Sequence, residues 1–159
     1  MTSKQPVDRF NAAIVEIINS FNLLDHNLGL SIAHLDSPGH STDAYSKVSG
    51  MNVKAKVAYL TEKLRSHPDH CHVVDQEEYL AWCSEADKAR YNRNRYLHGQ
   101  WAFLGHLDKP VEFCAPVWMR EKLGKDWKER LTLEELEEAV NELKRCAYAF
   151  ITIREKNRF

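Results

Sequence analysis

At 159 residues the chain is long enough to bury a substantial core and is read most simply as a single domain spanning 1–159. Its charged residues make up 28% of the chain but sum to a net charge of -1, so no global basic surface marks a nucleic-acid binder and any such contact must be local. Cys71, Cys83, Cys114 and Cys146 are widely spaced and form neither a C-x-x-C pair nor a disulfide framework. The first residues lack a signal-peptide core and no stretch approaches a membrane span, so a cytoplasmic protein without membrane contact is expected.

In chain order, Phe10, Ile14, Ile17, Phe21, Leu24, Leu28 and Leu35 keep a three-and-four spacing that only Ser31 interrupts. They predict one long helix over about 7–35, started by Pro6 and stopped by Ser37-Pro38-Gly39. The polar, small stretch to Ser49 reads as a loop. Gly50 and Asn52 lead into a second helix carrying Val53, Val57, Leu60 and Leu64, which ends before His67-Pro68. His67, His70, Cys71 and His72 concentrate metal-ligand types, but no second ligand pair stands at a recognisable spacing. A polar loop is therefore preferred over a zinc site.

Asp75 followed by Glu78 is a capping box and predicts a third helix running to His98. After Gly99 the short aromatic runs Trp101–Leu104 and Val111–Trp118 predict a hairpin, with Pro116 confining its second strand to an edge. Thr132 with Glu135 is a second capping box. Leu133, Leu136, Val140, Leu143, Ala147 and Phe150 then predict a last helix over about 133–155, with Lys144, Arg145 and Arg154 complementing its dipole. The economical architecture is an all-α four-helix bundle with a small β-hairpin inserted between helices three and four. The regular seams of the first and last helices suit a homodimer.

The third helix breaks its own pattern. Its seam Tyr79, Cys83 and Ala86 continues onto Arg90, Arg93 and Leu97, so two arginines stand where hydrocarbon is called for, with Asn94 beside them and His98 in the last turn before Gly99. Buried charge must be paired, hydrogen-bonded or turned toward a site. Arg93-Asn94-Arg95-Tyr96-Leu97-His98 resembles the R-x4-6-H signature of the HEPN superfamily, small all-helical proteins that include metal-independent endoribonucleases of defence and toxin systems. Asn94 fits the polar residue usual after that arginine.

The resemblance implies a HEPN-like bundle that cleaves single-stranded RNA, with His98 as acid or base, Arg93 as phosphate clamp and Asn94 as positioning residue, and without metal or cofactor. Five residues on one helix turn Arg93 and His98 apart by roughly 140°. Arginine's reach, fraying at Gly99 or a second copy across a two-fold axis would each bring them together, and the resemblance implies the last, a homodimer. An antitoxin or regulatory protein would be a further partner. Lys88, Arg90 and Arg95 make the helix locally basic, and Tyr91, Tyr96 and Trp101 offer stacking faces for unpaired bases.

Other readings of the same residues stay open. The helix dipole alone favours an imidazolium at position 98. Arg90 and Arg93 could pair with Glu16 or Asp25 in a structural network, and the aromatic residues could be packing. The chain would then be a non-catalytic module that binds a nucleotide or partner, or holds its own dimer together.

Overall fold

The computed structural model describes residues 6–36, 42–66, 73–102, 111–114 and 128–157, which are predominantly helical. Five helices are present among them: α1 (Pro6–Asp36), α2 (Thr42–Ser49), α3 (Val53–Ser66), α4 (Gln76–His98) and α5 (Leu133–Asn157). The four expected helices are all found, and α2 is a fifth, in the stretch read as loop.

The local starts follow the side chains. Pro6 opens α1, where its missing N–H costs nothing. The Asn52 side-chain oxygen accepts from Ala55 N at 3.0 Å and caps α3. Asp75 caps α4 by accepting from Glu78 N at 2.9 Å, but the Glu78 carboxylate turns to Lys156, so only half of that capping box forms. At α5 both halves form: Glu135 N donates to Thr132 Oγ1 at 3.1 Å, and Thr132 N donates to Glu135 Oε2 at 2.7 Å.

Ion pairs and hydrogen bonds between helices give their directions. Arg9 reaches Glu134 and Glu137, Glu16 reaches Lys144, and Asn27 donates to Ala147 O, so α1 and α5 run parallel. Lys56 with Asp25 and Lys63 with Asp36 lay α3 parallel to α1 as well. The α4 helix runs opposite to α5, with Glu78 near the end of α5 at Lys156 and Trp82 Nε1 donating to Cys146 O at 2.8 Å.

Leu24, Leu28 and Ile32 of α1, Leu60 and Leu64 of α3, and Tyr79 and Ala86 of α4 are completely buried between these helices. Each leucine or isoleucine so placed contributes roughly 1.5–3 kcal/mol. Ser31, which interrupts the α1 seam, is buried with its hydroxyl donating to Asn27 O at 2.9 Å.

The expected hairpin is part of a three-stranded antiparallel sheet. Strand β1 (Gln100–Ala102) pairs with β2 (Val111–Cys114), with Trp101 opposite Phe113, and β2 pairs with β3 (Lys128–Leu131), with Val111 opposite Leu131. The edge assignment of the second strand is therefore corrected: β2 is the middle strand, and it ends at Cys114, before Pro116 can interrupt its ladder. Pro116 itself and the His67–His72 segment lie outside the described residues.

Candidate functional site

Arg93 belongs to the buried stripe of α4. The interior positions are Tyr79, Trp82, Cys83, Ala86, Ala89 and Tyr96, and continuing their three-and-four steps from Ala89 lands on Arg93 before Tyr96. The guanidinium carbon lies 4.9 Å from the centroid of the Phe21 ring on α1, and Nη1 donates to Asn94 Oδ1 at 3.0 Å. Its Nε is buried and has no hydrogen-bond partner among the described residues. No carboxylate pairs with Arg93 among those residues either, so a cation stands half-buried with an N–H direction unused.

The structural network considered for the arginines is not the one found. Glu16 pairs with Lys144 at 2.5 Å and Asp25 with Lys56 at 2.6 Å, which leaves neither acid for α4. Arg90 instead pairs within its own helix, Nε to Asp87 Oδ1 at 2.7 Å, and Lys88 pairs with Glu85 at 2.5 Å.

His98 is exposed in the last turn of α4. The helix stays closed there, with Gly99 N donating to Arg95 O at 3.0 Å. Gly99 has φ -74° and ψ 164°, an ordinary extended conformation that does not use glycine's special freedom. Because the last turn does not fray, Arg93 and His98 keep the roughly 140° separation of an ideal helix and do not meet within one chain.

The aromatic candidates are packed. Tyr96 is 8% exposed and stacks on Trp101 with ring centroids 6.0 Å apart, while Trp101 Nε1 donates to Tyr96 O at 3.0 Å and its ring meets Phe10 edge-on at 5.2 Å. This cluster ties the end of α4 and the start of the sheet to the first turns of α1. The Arg95 guanidinium carbon lies 5.5 Å from the Tyr96 ring centroid. Burial pushes the Tyr96 hydroxyl pKa up; Arg95 opposes the shift, and the carboxylates of Glu142 and Glu135 add to it. Tyr91 is half-buried and packs against the core.

A cleft of about 660 Å³ opens between α4 and α5. Ile17, Trp82, Ala89 and Leu143 line it together with Arg93 and Tyr96, and Lys88, Asn92, Glu142 and Arg145 supply polar groups. Arg93 thus opens onto a space of ligand size, and His98 is not among the lining residues. Sequence reading missed Asn92, Glu142 and Arg145, since polar residues on an outward helix face carry no signal of the cleft their neighbour encloses.

Cys83 and Cys146 are buried free thiols, both pushed up to about 12 chiefly by burial, so neither supplies a thiolate near neutral pH. Among the described residues no three His, Cys, Asp or Glu side chains converge to hold a metal ion, and no helix is long and apolar enough to cross a membrane. No protein-family model, no curated protein and no solved structure is significantly similar to this chain.

Proposed function

We propose that this chain is a HEPN-like, metal-independent endoribonuclease for single-stranded RNA, working as a homodimer in which Arg93 of one copy faces His98 of the other. The reaction class comes from the Arg93-Asn94-x-x-x-His98 resemblance. The observation that supports it best is the state of Arg93: a half-buried guanidinium with no carboxylate partner among the described residues, opening onto a cleft of ligand size, five positions before an exposed histidine. Such a cation is suited to an anionic phosphate.

In the reaction, His98 takes the proton of the 2′-hydroxyl as its oxygen attacks the adjacent phosphorus. Arg93 stabilises the extra negative charge of the phosphorane. The bond from phosphorus to O5′ breaks, O5′ takes a proton from water while the His98 imidazolium returns its proton to solvent, and the products carry a 2′,3′-cyclic phosphate and a 5′-hydroxyl. Asn94, bonded to Arg93 through Oδ1, holds the guanidinium in place.

The test is cleavage of labelled single-stranded RNAs in chelator by the parent, Arg93→Ala and His98→Ala, after circular dichroism has shown all three folded. The parent leaves cyclic phosphate ends, and each variant loses about a hundredfold or more in rate. A parent that leaves every RNA intact, or variants that cut as fast, overturns the nuclease. A second reading, a non-catalytic module holding a nucleotide or partner at Arg93, is favoured by one observation: the cleft that includes Arg93 leaves out His98. Under it, nucleotide binding survives His98→Ala and no cleavage occurs.

A further inference from the structure

The α4–α5 cleft has an apolar floor and a rim on which most charges are already matched. Lys88 pairs with Glu85, Arg145 with Glu138 at 3.0 Å and Glu78 with Lys156 at 2.6 Å. Two charged residues lining it have no ion-pair partner among the described residues: Arg93 on the α4 wall and Glu142 on the α5 wall. Across the antiparallel α4–α5 pair Trp82 meets Cys146 and Glu78 meets Lys156, a register that sets Glu142 level with the Ala86–Asn92 stretch just before Arg93, so the two charges line the same part of the cleft.

The complement of this arrangement is a molecule with an anionic group, a flat apolar body and a hydrogen-bond donor edge. A carboxylate accepts on both oxygens and donates nothing. Guanine alone among the RNA bases presents two adjacent donors on one edge, N1–H and the 2-amino group. Adenine and cytosine set a single amino donor beside an acceptor nitrogen, and uracil sets its one N–H between two carbonyl oxygens. The volume of about 660 Å³ holds one nucleotide.

We propose that this cleft is a guanine-selective nucleotide site, in which Glu142 accepts from N1–H and the 2-amino group, the base lies on the apolar floor and Arg93 takes the phosphate. The assignment deepens the nuclease reading, and only its extension to the RNA strand, a guanine next to the cleaved phosphate, rests on that reading. The site itself does not require cleavage. It binds nucleotide by the chemistry of Arg93 and Glu142 alone.

Calorimetric titration of the folded full chain with GMP, AMP, CMP, UMP and guanosine tests it directly. GMP binds at least about tenfold more tightly than the other three nucleotides, and Glu142→Gln, at an exposed position that folding does not depend on, erases that preference. The advantage of GMP over guanosine disappears in Arg93→Ala. Equal binding of all four nucleotides, no binding of GMP, or an unchanged preference in Glu142→Gln overturns the site. Mapping the RNA cuts separates the two readings: selective GMP binding by a parent that cuts nothing keeps the site and removes the nuclease, whereas cleavage without guanine preference and without GMP binding does the reverse.

Discussion

Asp36 at the end of α1 is the acid whose surroundings most plainly tie charge to stability. Its side chain is mostly buried, which on its own would raise its pKa, but Lys63, Lys47 at 3.0 Å and the Tyr59 hydroxyl at 2.8 Å all donate to it and hold it below the usual carboxylate value of 3.8. Because the folded pKa is lowered, the unfolded chain takes up the proton first on acidification. The contribution is therefore fully present above about pH 5 and fades as pH falls through 3.8 toward the lower folded value. Asp36→Asn should cost about 2 kcal/mol at neutral pH, and urea denaturation should show the gap between parent and variant closing below pH 4. A gap that stays constant down to pH 2 would mean the carboxylate charge is not what holds this end of α1.

At the scale of elements, α2 shows what a periodic reading could not reach. Thr42–Ser49 is eight residues long and polar, too short to nucleate alone. Val48 is buried and sits against Gly29 of α1, where an added Cβ would come 3.0 Å from Val48 Cγ1. Gly29 thus trades helix propensity for the close approach of α2. Gly29→Ala recovers about 1 kcal/mol of propensity but forces Val48 aside, for a net loss of about 1 kcal/mol. In a Val48→Ala background the same change should become stabilising, and a thermal or urea double-mutant cycle measures the coupling. Equal effects in both backgrounds would show that α2 does not rest on Gly29. The long helices, by contrast, were legible because each carries its own apolar seam and stop signals, and the full Thr132–Glu135 capping box places the start of α5. At α4 the expected box is half made because Lys156, distant in sequence, captures Glu78.

On the scale of the whole molecule, the proposed reaction depends on how copies associate. Within one chain a continuous α4 keeps Arg93 and His98 apart, so the nuclease reading makes a sharp prediction about mixtures. Equal amounts of Arg93→Ala and His98→Ala, each inactive alone, should regain about a quarter of the parent rate after unfolding and refolding together, because half of the dimers then carry one intact site of two. No recovery, with the parent active, would place both groups in one chain or require both sites at once. Val15 and Ile18 on α1 and Tyr148 and Ile151 on α5 are exposed large apolar side chains, and sedimentation velocity of the parent tests the dimer itself.

The sequence by itself determined the helical class, the four long helices to within a few residues, and the singular placement of Arg93, Asn94 and His98 at the end of α4. Those features are local: periodicity, caps and stop residues act within a few turns of chain. Tertiary structure alone decided which ion pairs form, that Glu16 and Asp25 serve Lys144 and Lys56 rather than the α4 arginines, that Tyr96 and Trp101 are packed with Phe10, and that Arg93 shares a cleft with Glu142. It also decided the third strand and the middle position of β2. Each of these depends on which helix faces come together across tens of residues, and charges or rings choose partners by distance in space, which spacing along the chain does not encode.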